Sequence, residues 1–176
     1  MREFEVNKFV FSSSCTVYGQ PNELPVTEST PRQPATSPYG NTKAICEDII
    51  RDHVFSKPAL KAIALRYFNP VGAHPTAEIG ELPNGVPSNL VPYLTQVAAG
   101  LRKSLTVFGN DYDTPDGTCV RDFIHVVDLA KAHVKAIELL DEQTISDYYD
   151  VFNVGTGQGN TVLELITTFE EVNGVK

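Results

Sequence analysis

Short apolar runs alternate along this chain with longer stretches in which apolar residues recur at helical spacing. Near-continuous apolar runs are typical of strands that are buried on both faces of a sheet. Strands are predicted at residues 8–11, 61–68, 105–108 and 151–154, and helices at residues 38–56, 90–102, 128–141 and 161–173. Strands that alternate with helices in this way predict an α/β fold with a mainly parallel sheet.

The segment from Ser37 to Lys43 predicts the start of the first long helix. Ser37 is a favourable N-cap, and Pro38 suits the first helical position, where a missing N–H costs nothing. Tyr39 and Lys43 are four residues apart and therefore lie on one helical face. A phenol with an ordinary pKa of about 10 is a base at neutral pH only beside a cation and hydrogen-bond donors. Lys43 can supply that charge, although a tyrosine and a lysine at this spacing also occur on many solvated helices.

The strand predicted just upstream runs directly into three serines. Ser12, Ser13 and Ser14 follow the apolar residues 9–11, and open parallel sheets bind ligands at the carboxyl ends of their strands. We therefore expect Ser14 to face Tyr39 across a site. A serine-rich loop is also ordinary turn chemistry. The prediction therefore depends on the combination of the serine loop with the tyrosine–lysine pair.

Two further loops match ligand-binding motifs only in part. Residues 155–159 read GTGQG, which has GxGxG spacing instead of the GxGxxG of dinucleotide-binding loops, so a glycine turn is favoured over a phosphate site. The aspartates in the run 111–116 lack the downstream glutamate of an EF-hand, which favours a solvated acidic turn over a calcium site. The last helix is expected to begin with a capping box formed by Thr161 and Glu164.

Composition narrows the possible classes of function. The chain has 176 residues, of which 41% are hydrophobic, enough for a substantial core. Its formal net charge of −8 argues against a sequence-independent nucleic-acid binder and against a polybasic membrane-surface protein. No apolar run reaches the length of a membrane span, and residues 1–5 lack the apolar region of a signal peptide, which predicts a cytoplasmic protein. The cysteines and histidines lack metal-ligand spacing, which predicts that the chain holds no metal.

Polar residues in the predicted loops are candidates for ligand binding. Asn69 follows the second long strand and precedes a proline–glycine bend, which suits a rigid binding loop. Asn89 and Leu90 begin a predicted helix. Arg121 carries a guanidinium fork that suits a phosphate, but the same side chain could pair with Asp122 or another surface carboxylate.

Six motifs follow one another along the chain: SSSCTVYG, SPYGNTK, LRYFNPVGAHP, PSNLVPY, VFGNDYDTPDGTCVRDFIHVVDLA and FNVGTGQGNTVLEL. In this order they resemble the extended short-chain dehydrogenase/reductase family and, within it, the UDP-glucose 4-epimerases. The motifs are distributed along nearly the whole chain, so the resemblance is highly specific.

The resemblance implies a partial Rossmann-like fold, a doubly wound parallel sheet, together with part of a smaller C-terminal substrate-binding domain. Residues 1–70 and 118–157 would belong to the NAD-binding domain, and residues 71–117 and 158–176 to the UDP-sugar domain. The implied catalytic residues are Ser14, Tyr39 and Lys43, which would also contact the cofactor NAD, as would Phe68. The positions that the resemblance implies for the UDP-sugar are Ser14, Tyr39, Asn69, Asn89, Leu90, Thr106, Phe108 and Arg121.

The reaction that the resemblance implies is the interconversion of UDP-glucose and UDP-galactose, a step of galactose use. The phenolate of Tyr39, helped by Ser14, takes the proton from the sugar O4 while C4 gives hydride to NAD; the 4-keto sugar then turns over and is reduced on its other face. A phenol that titrates near 7 needs about 4 kcal/mol of differential stabilisation, for which Lys43 and the positive nicotinamide are the available sources. Dehydration is disfavoured, because Cys15 and Thr16 occupy the places of the Asp-Glu pair of the related 4,6-dehydratases.

The sequence departs from the family pattern at both ends. No GxxGxxG pyrophosphate loop precedes residue 1, and the chain stops before the last expected substrate-lid residues. We therefore expect an internal fragment without epimerase activity of its own, whereas a full-length member would be a homodimer. Two alternatives stay open: another NAD-dependent UDP-sugar epimerase or decarboxylase, and a non-catalytic truncated paralogue that still binds UDP.

Overall fold

The structure, a computed structural model, describes residues 1–56 and 59–175. Contacts divide the chain into two compact units: the first unit is Met1–Phe68 with Asp128–Gly155, and the second unit is Asn69–Val127 with Thr156–Lys176. The strands are β1 (Lys8–Ser12), β2 (Lys61–Tyr67), β3 (Asn69–Val71), β4 (Val120–Arg121), β5 (Phe123–His125), β6 (Tyr149–Val154) and β7 (Asn160–Thr161). The helices are α1 (Pro38–Ser56), α2 (Leu90–Ala98), α3 (Val126–Glu142) and α4 (Val162–Asn173), with short 3₁₀ turns at Arg2–Phe4 and Cys15–Tyr18.

A parallel sheet in the order β1-β2-β6 forms the centre of the first unit. Side chains of β2 alternate between its two faces. Ile63 and Leu65 belong to one buried cluster with Ala136 of α3, whereas Arg66 forms hydrogen bonds with Glu47 of α1. The two helices therefore cover opposite faces of the sheet. The predicted α/β class, with a doubly wound parallel sheet, is confirmed.

The second unit contains two small sheets and two helices. Strands β3 and β5 pair in parallel, and β4 and β7 pair antiparallel. Helix α4 begins with the predicted capping box, in which Thr161 accepts from the Glu164 N–H and the Glu164 carboxylate accepts from the Thr161 N–H at 2.8 Å. These short strands were not predicted, because runs of two or three residues carry no readable periodicity.

Two predictions of secondary structure are wrong, and both concern the second unit. Residues 104–109 form no strand, so the predicted strand at 105–108 is absent and Phe108 ends no strand. The apolar side chains of residues 105–108 line a cleft, and the backbone of this segment pairs with no strand of the described residues. The helix predicted at 90–102 ends at Ala98, because Gly100 adopts a φ of 73° and its N–H turns back to the carbonyl of Val97.

The bounds of the compact units differ from the predicted domains in one main segment. Residues 118–127 lie with the second unit, whereas the resemblance implied the first. The reason is local pairing: Asn69, Pro70 and Val71 in β3 align with β5, and Asn160 and Thr161 in β7 align with β4. The roles assigned to the two domains stay predictions.

The glycine loop at 155–159 wraps around a carboxylate of the protein itself. The carboxylate of Asp122 accepts hydrogen bonds from the N–H groups of Thr156 and Gly157, at 2.9 Å each, and from the Thr156 hydroxyl at 2.7 Å. Backbone N–H groups that could have held a phosphate are therefore used internally. Gly157 has a φ of 73°, as expected of the glycine turn that the sequence favoured.

We expect Asp122→Ala to lower the free energy of unfolding by about 1–3 kcal/mol, because the loop loses charge-assisted hydrogen bonds. Urea denaturation measures this difference. Asp128→Ala is the matched control, since Asp128 pairs with Lys131 on the surface of α3 and such pairs contribute at most about 1 kcal/mol. Equal losses in the two variants would contradict a structural role for Asp122.

The acidic turn around Asp116 is also tied into the fold. Its carboxylate accepts from the N–H of Thr118 at 2.8 Å, from the Thr118 hydroxyl at 2.7 Å, and from the hydroxyl of Thr161. The hydrogen bond from Thr161, followed by those from Thr118, lowers the pKa of Asp116. Within the described ranges, no group of three or more His, Cys, Asp or Glu side chains is arranged to hold a metal ion. In the same ranges, no helix combines the length and the apolar character that a membrane span requires.

Candidate active site

Helix α1 begins as the sequence predicted. The Ser37 hydroxyl accepts from the N–H of Gly40 at 3.1 Å, and Pro38 is the first helical residue. Gly40 is buried, and a Cβ at this position would lie 3.0 Å from the carbonyl oxygen of Thr16. The glycine therefore lets the start of the helix approach the turn that carries Ser14 closely. This approach places Tyr39 beside that turn.

Lys43 joins the helix to the end of β1. Its ammonium donates to the carbonyl oxygen of Ser12 at 2.7 Å and lies 5.6 Å from the ring centroid of Tyr39. The same nitrogen lies 5.1 Å from the ring centroid of Phe11. A cation held next to a phenol favours the anionic form of that phenol. The structure thus brings the predicted tyrosine–lysine pair together at the carboxyl end of a strand.

Ser14 is buried, with 6% of its surface exposed, and its hydroxyl oxygen is oriented by the turn that follows. The oxygen accepts from the N–H of Thr16 at 3.3 Å and from the Thr16 hydroxyl at 3.0 Å. Both contacts use lone pairs of the oxygen, so neither consumes the Ser14 proton. Tyr39, by contrast, is 52% exposed. One buried hydroxyl and one accessible phenol therefore stand at the same edge of the sheet.

A buried ion pair fixes the serine loop to the sheet and to α1. Glu47 and Arg66 have side chains that are only 2% and 8% exposed, and Arg66 donates to both carboxylate oxygens of Glu47, at 2.9 and 2.6 Å. Ser13 donates to the same carboxylate at 2.5 Å. Burial alone would lower the pKa of Arg66, but its hydrogen bonds to Glu47 and Tyr18 outweigh that effect and raise it.

The network continues to the third strand of the sheet. Arg66 donates to the hydroxyl of Tyr18 at 3.0 Å, and Tyr18 donates to the side-chain oxygen of Asn153 in β6 at 2.7 Å. Burial, together with the charge of Glu47, raises the pKa of Tyr149 to about 12. Residues from α1 and from the ends of all three strands therefore hold the serine loop in one position.

This network was not predicted from the sequence. Glu47 lies four residues after Lys43 on α1, so it lies on the same helical face as Lys43 and Tyr39. This spacing could have indicated that Glu47 belongs to the site. Arg66 lies 19 residues further along the chain, so its partner could not be read from spacing. A buried ion pair between distant positions needs the fold.

The second unit contains a cleft of about 670 Å³. The cleft brings together all the residues outside the first unit that the sequence analysis assigned to the UDP-sugar. These residues are Asn69, Asn89, Leu90, Thr106, Phe108 and Arg121. The remaining two assigned residues, Ser14 and Tyr39, belong to the first unit.

Arg121 is exposed at this cleft and does not use its charge on Asp122. Its guanidinium donates to the carbonyl of Val120 at 2.7 Å, while the carboxylate of Asp122 is occupied by the glycine loop. Phe108 is 84% exposed, an unusual exposure for a large apolar ring. The cleft therefore offers a cation and an accessible aromatic face beside two amide side chains.

A second cavity of about 620 Å³ lies in the same unit, lined mainly by apolar side chains of α2 and α4. It contains none of the residues assigned to the UDP-sugar. Its lining includes Leu165, Phe169 and Val172, with Glu164 at α4. The chemistry of the first cleft, and not the size of either cavity, distinguishes the candidate nucleotide site.

A family model for the NAD dependent epimerase/dehydratase family matches residues 1–155. The chain belongs to this family. Among curated epimerases, it is 51% identical over 174 residues to the UDP-glucose 4-epimerase of Erwinia amylovora, covering 99% of this chain and 51% of that protein. It is 54% identical over 174 residues to the UDP-glucose 4-epimerase of Bacillus subtilis (strain 168), covering 99% of this chain and 50% of that protein. The chain thus spans about half the length of the curated relatives that it matches.

Solved structures of epimerases agree with this assignment. The UDP-glucose 4-epimerase of Bifidobacterium longum in complex with NAD⁺ and UDP matches with a TM-score of 0.92 at 50% identity, covering 99% of this chain and 51% of that one. The UDP-glucose-4-epimerase of Stenotrophomonas maltophila, with bound NAD and formylated UDP-arabinopyranose, matches with a TM-score of 0.93 at 51% identity, covering 100% and 51%. The resemblance to UDP-glucose 4-epimerases and the Rossmann-like assignment are thereby confirmed.

Proposed function

We propose that the chain carries the catalytic groups and part of the nucleotide site of an NAD-dependent UDP-glucose 4-epimerase. The observation that supports this most directly is the contact of Lys43 with Ser12, which holds an ammonium 5.6 Å from the ring of Tyr39. Relatives about half identical over nearly all of this chain are UDP-glucose 4-epimerases. The reaction interconverts UDP-glucose and UDP-galactose through a 4-keto sugar.

Tyr39 acts in this proposal as the proton acceptor for the sugar O4. Its exposure leaves the phenol accessible to a sugar, and the ammonium of Lys43 lies 5.6 Å from the centroid of its ring. Ser14 keeps its own proton, since its two contacts with Thr16 use lone pairs, so it can donate to the same sugar oxygen. In the reverse half-reaction, Tyr39 returns the proton to O4.

The residues at this edge of the first unit fit the cofactor NAD. Tyr39 and Lys43 carry donors beside the carboxyl end of β1, which is where open parallel sheets bind dinucleotides, and we assign Phe68 at the end of β2 to the same site. When bound, NAD accepts the hydride from C4 of the sugar and returns it. This chain supplies the orientation and the proton transfer.

The cleft of the second unit is assigned to the UDP moiety. Arg121 suits the diphosphate, because a guanidinium can donate two parallel hydrogen bonds to phosphate oxygens. Phe108 offers a flat apolar face that suits the base. Asn69 and Asn89 supply amide groups that can donate and accept hydrogen bonds, and Leu90 and Thr106 complete the assigned contacts.

Two alternatives differ in what this chain does with its ligand. Another NAD-dependent UDP-sugar epimerase or decarboxylase would use the same tyrosine and lysine on a different sugar, and one relative holds a formylated UDP-arabinopyranose. A non-catalytic paralogue would bind UDP without turnover.

Dehydration is disfavoured, since neither Cys15 nor Thr16 can act as a carboxylic acid. The absence of activity in the isolated 176-residue chain and the homodimer of a full-length member stay predictions.

We expect the chain to bind UDP, and Arg121→Met to weaken that binding by about tenfold to a hundredfold, since a charge-assisted contact to phosphate is lost. Isothermal titration calorimetry with UDP measures the dissociation constants. Lys103→Met is the matched control, because Lys103 is an exposed cation of the same unit and does not line the cleft. Equal affinities of the two variants for UDP would remove Arg121 from the site.

A further inference from the structure

Ser12 is the last residue of β1 and is contacted from both faces of the sheet. Its carbonyl oxygen accepts from the ammonium of Lys43 on α1 at 2.7 Å. Its hydroxyl oxygen lies 2.9 Å from Nε2 of His133 on α3. Because α1 and α3 cover opposite faces, this one residue connects the catalytic lysine with a histidine on the far side of the sheet.

The hydrogen positions in this contact follow from the acceptors. Nδ1 of His133 lies 2.9 Å from the carbonyl oxygen of Leu129, and a carbonyl can only accept, so Nδ1 carries a proton. In the neutral imidazole Nε2 is then an acceptor, and the Ser12 hydroxyl donates to it. The Ser12 hydroxyl proton is therefore used in the hydrogen bond to His133.

A tyrosine of β2 completes the cluster. The ring of Tyr67 lies 6.3 Å from the ring of His133, between centroids. Burial raises the pKa of Tyr67, the nearby phenol of Tyr39 raises it further, and a polar interaction with Ser12 opposes both. The hydrogen bond to His133 thus fixes the hydroxyl of the residue whose carbonyl holds Lys43.

We propose that His133 and the Ser12 hydroxyl are positioning residues that keep the carbonyl of Ser12 in place for the ammonium of Lys43, and thereby keep that ammonium next to Tyr39. The proposal rests on the proposed role of Tyr39 as the proton acceptor. Neither Ser12 nor His133 has an assigned contact with the substrate. Without the acceptor on His133, the end of β1 can rotate, and Lys43 spends less time at its place beside the phenol.

The test uses the 176-residue chain and the pH profile of its phenolate absorbance near 295 nm. The contribution of Tyr39 is the difference between each variant and the same variant with Tyr39→Phe. His133→Leu removes the acceptor at similar volume, whereas His133→Gln keeps an acceptor at similar reach. His53→Leu is the matched control, because His53 is exposed on α1. Urea denaturation of each variant reports stability separately.

We expect His133→Leu to raise the midpoint of the Tyr39 phenolate titration by about half a pH unit or more. His133→Gln and His53→Leu should leave this midpoint close to that of the unsubstituted chain. A lower denaturation midpoint with an unmoved profile would reduce His133 to a structural residue and overturn the proposal. If His133→Leu does not fold, Ser12→Ala gives the same test, with Ser12→Thr as the control that keeps the hydroxyl. An unchanged titration midpoint in Ser12→Ala would also overturn the proposal. The variant Lys43→Met tests the proposed function separately from the role of His133. If Lys43→Met leaves the phenolate titration of Tyr39 unchanged, the proposed function itself is refuted.

Discussion

Replacing Tyr39 by phenylalanine is expected to lower kcat by about 10²- to 10⁴-fold, with a small change in KM for UDP-galactose, because a positioned proton acceptor contributes acceleration of that order. The assay uses a chimera in which residues 1–176 replace the matching half of the Bifidobacterium longum epimerase, to which the chain is 50% identical. Conversion of UDP-galactose to UDP-glucose is followed directly.

The chain provides a matched control for this substitution. Tyr112 is as exposed as Tyr39, at 52%, and lies in the second unit outside the residues that line the cleft. Tyr112→Phe should therefore leave kcat unchanged. An active chimera that retains more than about a tenth of its kcat after Tyr39→Phe would contradict the assignment, since the loss would fall below that of a general base. An inactive chimera with intact UDP binding would favour the non-catalytic paralogue.

Replacing Glu47 by leucine is expected to lower the free energy of unfolding by about 3–5 kcal/mol, the cost of leaving a buried charge without its partner. Arg66 is only 8% exposed and would lose both of its short contacts, at 2.9 and 2.6 Å. Ser13 would lose its acceptor at the same time. Urea denaturation measures the change.

A double variant separates the charge from the packing at this position. Glu47→Leu combined with Arg66→Met removes both charges, so it should recover part of the stability lost in Glu47→Leu alone. Glu138→Leu is the surface control: Glu138 pairs with Lys135 at 2.6 Å but is 51% exposed, and such pairs contribute at most about 1 kcal/mol. A loss of less than about 1 kcal/mol in Glu47→Leu would show that the pair does not stabilise the fold.

The network around Glu47 also connects stability with the proposed chemistry. Ser13 donates to Glu47, and the next residue, Ser14, is the proposed hydroxyl donor to the sugar. Glu47 lies on the same helix as Tyr39 and Lys43. The ion pair therefore stabilises the serine loop and the helix in one arrangement, and its loss should affect both.

The local pattern predicted most of the first unit. The apolar runs placed β1, β2 and β6 correctly, although β2 is buried along most of its length whereas β1 and β6 are half-buried. The alternation of strands with helices indicated a parallel sheet. Ser37 and Pro38 located the start of α1. The second unit was predicted less well: the run at 105–108 is as apolar as a strand, but its side chains face a cleft and have no partner strand.

The sequence by itself determined the elements, the start of α1 and the spacing that places Tyr39 one helical turn from Lys43, because these depend on residues close together in the chain. Only the tertiary structure decided which distant groups surround them. The contacts of Ser12 with His133 and of Arg66 with Glu47 join positions 121 and 19 residues apart. Such contacts follow from how strands and helices pack, and a hydrogen bond between buried groups leaves no period in the sequence from which it could be predicted.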